Sequence, residues 1–193
     1  MPPPARNRRA DARRSRDAIL DAATRVLDAE PDAGLGAVAD AAGVTRQTVY
    51  AHFPSRERLL LAIAERLTEE TVAAMDAADP DAGPAADALM RLLDAAAATA
   101  GRHPVLVRRI SAVPVGPRVD HDRHAPVADR IRRVIERGRS GGEFDDRLPV
   151  GWLVAATIAL AHAASEERQT GRVPGGAAED ALRASLLRLL GAS

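Results

Sequence analysis

The chain has 193 residues, and its 27 basic side chains, all of them arginine, balance 27 acidic ones to a formal net charge of zero. That length can bury a sizeable core in one or two domains. The absence of cysteine excludes a disulfide framework and a thiolate site. No apolar segment follows the basic start of the chain, so we expect no signal peptide and a cytoplasmic protein.

The N-terminal segment is basic and leads into a predicted helix. Residues 1–16 contain one acidic residue, Asp11, and six arginines: Arg6, Arg8, Arg9, Arg13, Arg14 and Arg16. Such a block is usually a solvated tail, but arginine clusters also bind phosphate, so this one is a candidate arm or helix start that contacts phosphate. A helix is predicted over Asp11–Glu30, because apolar residues recur on one face at Ile19, Ala23, Val26 and Leu27.

The sequence of Leu35–Leu61 predicts two short helices followed by a third helix with an N-cap. Gly43 tolerates the left-handed conformation that a sharp turn between helices needs, and Thr45 is a suitable N-cap for the second short helix. Offsets of three and four place three polar side chains on one face of that helix: Arg46, Gln47 and Tyr50. The pattern predicts a helix-turn-helix with a core of Val38, Ala42, Val44, Val49 and Phe53.

The residues ADAAGVT at 39–45 and TVYAHFPS at 48–55 resemble the DNA-binding motif of the tetracycline-repressor (TetR) family, with a match over about 19–63. Two departures stand out. Arg56 replaces the usual lysine, and Gly34 and Gly36 stand where a cap and a polar contact residue are common. The resemblance implies an all-α fold, with a three-helix DNA-binding domain over 1–58 and a helical effector-binding and dimerisation domain over 59–193.

The resemblance also implies the DNA contacts. Thr45, Arg46, Gln47 and Thr48 would begin the recognition helix, where arginine can bind guanine and glutamine adenine through two hydrogen bonds each. Tyr50, His52 and Arg56 match positions that contact phosphates, which fix register without reading sequence. For Tyr50 and His52 the competing interpretation is ordinary packing at a helix end.

The rest of the chain is also predicted to be helical, since it is rich in alanine, leucine and arginine and poor in aromatics. Ser55 caps a helix that runs to about Ala78, and further helices are predicted at about 84–101, 103–112, 124–138, 148–169 and 176–190. The apolar run at 150–164 is too short for a membrane span and contains Thr and His, so we interpret it as a helix in a bundle or a subunit interface.

The family resemblance implies a homodimer through the last two helices, about 148–169 and 176–190, bound to double-stranded operator DNA. It also implies a small-molecule effector in the C-terminal domain, for which we expect an apolar compound because aromatic residues make up 2% of the chain. Six apolar residues could line a pocket, although most are better interpreted as core: Met75, Leu89, Leu93, Leu106, Ile110 and Trp152.

Two other functions compete with a ligand-released repressor, and one further site is a candidate. One is a helix-turn-helix activator or global regulator without an effector. Another is an enzyme, for which no phosphate loop, dinucleotide fingerprint, nucleophile elbow or HExxH motif is present, so no catalytic residue or cofactor is assigned. The last is a metal site at Asp120–His124 with His103 or His162, which we disfavour because such residues are common in solvated loops.

Overall fold

The computed structural model describes residues 5–114 and 116–192, except for the side chains of 5–9, 117, 120, 121 and 175. Within these residues lie nine α-helices: α1 (Ala5–Ala29), α2 (Leu35–Ala42), α3 (Arg46–His52), α4 (Arg56–Asp76), α5 (Ala85–Gly101), α6 (Pro104–Ser111), α7 (Pro117–Ser140), α8 (Val150–Thr170) and α9 (Gly175–Leu190). The all-helical prediction is confirmed. In this part of the chain, every helix is too short or too polar to cross a bilayer.

Two predicted helix starts are wrong. The helix α1 begins at Ala5 rather than Asp11, because residues 5–10 consist of Ala, Arg and Asn, none of which breaks a helix. The helix α7 begins at Pro117 rather than 124 and continues through Pro126. Proline suits the first position of a helix, so the Pro/Gly run ends where the helix begins. Asp120–His124 therefore belongs to a helix and not to a loop.

The chain divides into two compact units. The first unit contains the chain up to Leu67 and the segment Ala100–Gly116, and the second contains Thr68–Thr99 and the chain from Pro117 onward. The predicted functional boundary at residue 58 stays a prediction. In the first unit, α2 packs against α1 and α3, and α6 packs against α1. Its core includes Ile19, Leu27, Val38, Val49, Phe53, Leu59, Ile63, Leu106 and Ile110.

In the second unit, α8 packs against α7 and α9. Its core includes Met75, Leu89, Leu92, Ile131, Ile135, Phe144, Leu153 and Leu186. Gly138 is required where α7 meets the Phe144 ring, because a Cβ atom at that position would clash with two ring carbons. The polypeptide can therefore close tightly over the ring after α7 ends.

Two arginines hold the connection between α4 and α5. Arg91 Nη2 donates hydrogen bonds to the carbonyl oxygens of Asp79 at 2.8 Å and Ala82 at 2.6 Å. From α7, Arg137 Nη1 donates to the carbonyl oxygen of Gly83 at 2.8 Å. Because connections expose backbone carbonyls that no helix satisfies, these bonds stabilise an otherwise irregular segment.

The six apolar residues that could line a pocket lie in different parts of the structure. Met75, Leu89 and Leu93 are buried in the core of the second unit, whereas Leu106 and Ile110 are buried in that of the first. Trp152 is 61% exposed on α8 and is the one of the six that does not lie in a core. The sequence could not distinguish a core residue from an exposed one here. Apolar residues recur at the same helical spacing whether they pack into a core or against a partner.

Candidate nucleic-acid interface

The turn between α2 and α3 has the geometry that its sequence predicts. Gly43 adopts the left-handed conformation, with φ 66° and ψ 30°, immediately after α2 ends. The Gly43 N–H donates to the Asp40 carbonyl at 3.2 Å, and the Val44 N–H donates to the Ala39 carbonyl at 3.0 Å. Two carbonyls at the end of α2 are thus satisfied while the chain reverses direction.

The helix α3 begins with a side-chain cap. Thr45 Oγ1 accepts a hydrogen bond from the Thr48 N–H at 3.1 Å, and the two threonine hydroxyl oxygens lie 2.9 Å apart. The bond between the two hydroxyls uses the proton of one of them, so one hydroxyl keeps its donor and each keeps some capacity for a further hydrogen bond. The cap fixes the start of α3, which is the end that the predicted base contacts occupy.

The outward face of α3 carries polar side chains over a buried anchor. Arg46 and Gln47 are exposed and Tyr50 is 54% exposed, whereas Val49 is fully buried in the core of the first unit. Within the described part of the chain, these three polar side chains make no hydrogen bond or ion pair. Their donors and acceptors are therefore available to an external partner.

The connection from α3 to α4 is anchored by packing and a second cap. Phe53 is 3% exposed, and the guanidinium carbon of Arg16 lies 5.5 Å from the centre of its ring, within range of a cation–π contact. The half-buried His52 ring lies 6.2 Å from the Phe53 ring between centres. Ser55 Oγ accepts from the Arg58 N–H at 3.2 Å, which confirms the predicted cap of α4.

Arg56 has a structural role that the sequence did not indicate. From the first turn of α4, its Nη1 donates to the carbonyl oxygen of Ala33 and its Nη2 to that of Pro31. The guanidinium fork thus holds the loop that leads into α2. A lysine ammonium is a single point charge without that fork, which gives a physical reason for arginine here. The predicted phosphate contact of Arg56 stays a prediction.

The helix α6 is tied to α1 and its following loop by polar contacts that sequence reasoning missed. The Leu106 N–H in the first turn of α6 donates to Asp28 Oδ1 at 3.3 Å, and His103 Nδ1 lies 3.3 Å from Asp28 Oδ2. Arg109 Nη2 also donates to Asp32 Oδ1 at 2.5 Å. Asp28 therefore satisfies the positive end of α6, although 78 residues separate it from Leu106.

The metal alternative gains no support from the described residues, in which no group of three His, Asp or Glu side chains is placed to hold an ion. His124 and His162 pack edge to face with ring centres 6.4 Å apart. His103 lies against Asp28 as described above. The side chains of Asp120 and His121 lie outside the described residues.

Residues 19–63 match the family model of bacterial regulatory proteins, tetR family. The crystal structure of the TetR-like transcriptional regulator LfrR from Mycobacterium smegmatis, in complex with proflavine, has 33% sequence identity and a TM-score of 0.64. That similarity covers 90% of this chain and 94% of LfrR. The chain belongs to the TetR family. As a TetR-family member it is a helix-turn-helix transcriptional regulator rather than an enzyme, as its sequence predicts.

Two further comparisons show what this TetR-family chain is similar to. The HTH-type transcriptional repressor LfrR of Mycolicibacterium smegmatis (strain ATCC 700084 / mc(2)155) is 47% identical over 81 residues, which make up 42% of this chain and 43% of that protein. The aligned segment thus spans less than half of that curated relative. RolR in complex with resorcinol is 18% identical, with a TM-score of 0.73 over 95% of this chain and 91% of its own, a likeness of fold alone.

Proposed function

We propose that this TetR-family regulator is a cytoplasmic homodimeric repressor that binds a palindromic operator and is released by a small molecule. The observation that carries the proposal is the outward face of α3, where exposed Arg46, Gln47 and Tyr50 lie over buried Val49 and make no hydrogen bond with the described residues. A side chain without internal partners can bind a base edge without first losing a protein contact. LfrR, the relative described above, is named as a transcriptional repressor.

The proposed division between base contacts and phosphate contacts follows from the positions of the residues on α3. Arg46 and Gln47 lie in its first turn and are exposed, so they would read base edges in the major groove. Thr45 and Thr48 would assist through the free capacity of their hydroxyls. Tyr50 and His52, one turn later, would contact phosphates, with Arg56 as a further cation near the backbone.

The dimer is proposed to form through α8 and α9. Four exposed residues of α8 recur at helical spacing, namely Trp152, Ala155, Ala159 and Ala163. These are small or apolar, and Trp152 leaves most of its indole in solvent. Small residues let two helices approach closely, and a large aromatic anchors an interface. A second copy of this face, related by two-fold symmetry, would cover both features.

The effector is proposed to bind in the second unit. The structure of LfrR contains proflavine, which is a planar aromatic amine. In this chain the Thr157 hydroxyl on α8 is fully buried, and it lacks a hydrogen-bond partner among the described residues. A buried polar group without a partner is costly, so a ligand that bonds to it would recover free energy. The proposed effector is therefore an apolar compound with one polar group.

Selection of bound sequences from random duplex DNA at fixed salt tests the proposal. We expect a palindrome with half-sites whose centres lie about 34–36 Å apart, or a multiple of that spacing. A lipophilic library, with the LfrR ligand proflavine included, is then titrated into the operator complex, and we expect at least one compound to release the DNA. Recovery of an operator without any release by proflavine or a lipophilic library would favour the alternative, a regulator without an effector. Binding without sequence preference would overturn the proposal.

A further inference from the structure

Gly36, in the first turn of α2, lies directly beside the side chain of Arg46 at the start of α3. A Cβ atom built on Gly36 would lie 2.9 Å from each of Cζ, Nε and Nη2 of Arg46. Real Cβ atoms do not approach other heavy atoms so closely. The Arg46 guanidinium therefore occupies the space that any side chain at position 36 would need.

The backbone alone gives no reason for glycine at this position. Gly36 lies inside a helix with right-handed geometry, where alanine is the better helix former. Gly34, two residues earlier, is a useful contrast, since a Cβ atom there would meet nothing within 4 Å. Glycine at position 36 is thus explained by the space that it leaves for Arg46.

We propose that Gly36 determines operator specificity by positioning Arg46. This inference rests on the proposed function. The guanidinium is planar, and its two-bond contact with a base edge requires a defined orientation. Resting against the backbone of α2 restricts the rotamers of an otherwise exposed side chain, so less conformational entropy is lost on binding. A side chain at position 36 forces the guanidinium outward and changes its alignment with the base pair that it reads.

The test compares Gly36→Ala with Arg46→Ala, with the double variant, and with Gly34→Ala as the matched control. Gly36→Ala is expected to fold with an equal or higher Tm, because the displaced atoms are the end of a flexible side chain. Each protein is titrated with the selected operator and all of its single-base variants. Gly36→Ala should change discrimination by about tenfold at the base pair that Arg46→Ala relaxes, and nowhere else.

In the double variant, Gly36→Ala should add nothing to Arg46→Ala, because its effect passes through the arginine. Gly34→Ala should keep the wild-type profile. The inference is overturned if Gly36→Ala leaves the profile unchanged, or if it acts equally with and without Arg46. In either case a wild-type operator would still support the proposed function. If the wild type selects no operator, the proposed function and this inference both fail.

A second measurement follows the arginine in the free protein. The Nε–H NMR signal of Arg46, identified by its loss in Arg46→Ala, should shift in Gly36→Ala and stay in place in Gly34→Ala. An unchanged signal in Gly36→Ala would show that the guanidinium does not rest on α2, and the inference would fail without reference to any DNA.

Discussion

Residues of the helix-turn-helix differ in whether their side chains bond to other residues of the protein. The Thr45 hydroxyl accepts the hydrogen bond that caps α3, and Arg56 donates to two loop carbonyls. Arg46, Gln47 and Tyr50 have no such internal bonds within the described chain. We therefore expect the loss of Thr45 or Arg56 to affect the fold together with DNA binding, and changes at the other three to affect DNA binding alone.

Base reading and phosphate positioning are separable at Gln47 and Tyr50. Gln47→Ala should relax preference at one base pair by about 1–3 kcal/mol, because an amide that bonds an adenine edge is lost. Tyr50→Phe should weaken binding to the operator and to its single-base variants alike, since a phosphate contact carries no sequence information. Titration against a set of operator variants at fixed salt measures both. Similar profiles for the two variants would refute this division of roles.

Arg56 combines a structural role with a predicted electrostatic one, and two substitutions separate them. Arg56→Lys keeps the charge but loses the fork to Pro31 and Ala33, so we expect the free energy of unfolding to fall by about 1 kcal/mol. Arg56→Ala should lose at least as much, and should also reduce the salt slope of DNA binding by about one unit.

Denaturant unfolding and salt titrations of the two Arg56 variants give the measurements. A lysine variant as stable as wild type would mean that the carbonyl bonds contribute nothing. An alanine variant with the wild-type salt slope would remove Arg56 from the predicted phosphate contacts.

At the scale of elements, the sequence predicts local features well and distant ones poorly. The turn at Gly43 and the caps at Thr45 and Ser55 could be predicted, because each depends on residues at most five positions away. The contact of Asp28 with the start of α6 could not, since it depends on which helices pack together. The start of α7 was missed because proline indicates both a loop and a first helical turn.

The ion pair between Asp76 of α4 and Arg130 of α7 predicts a pH dependence of stability. Arg130 donates to both carboxylate oxygens, at 3.0 and 2.9 Å, and these hydrogen bonds lower the pKa of Asp76. A lowered pKa in the folded state stabilises the protein above the unfolded pKa, and this contribution is lost as the pH falls through the folded one. Because the Asp76 side chain is 45% exposed, solvent screening limits the pair to at most about 1 kcal/mol.

Asp76→Asn should therefore lower the free energy of unfolding at pH 7, and its difference from wild type should shrink below about pH 4. Denaturant unfolding across this pH range is the measurement. Asp81→Asn is the matched control, since Asp81 is exposed in the same cleft of about 600 Å³. A difference from wild type that persists unchanged at pH 2 would mean that the substitution acts by another route than this ionisation.

For the whole molecule, the exposed face of α8 shows why sequence alone could not place Trp152. An apolar residue at helical spacing is equally compatible with a core and with a subunit interface, and the structure leaves this indole in solvent. Covering this large aromatic surface would contribute to the stability of an interface. The same feature is explained if Trp152 is covered by a second copy of the chain.

Ala159 lies near the middle of this face and offers the sharpest test of the dimer. It is exposed, so Ala159→Glu adds a well-tolerated helix former to the isolated chain but places two carboxylates against each other in a two-fold interface. We expect sedimentation to change from dimer to monomer, with an unchanged helical circular dichroism spectrum. Ala98→Glu on α5, also an exposed helical alanine, is the control and should remain dimeric.

Loss of the dimer should also reduce operator affinity, since a single α3 can occupy only one half-site and the second half-site no longer contributes. A half-site duplex separates this effect from damage to α3 itself, because Ala159→Glu should bind it as well as the wild type does. If Ala159→Glu stays dimeric, the two-fold interface lies elsewhere, and the exposure of Trp152 then needs a different partner.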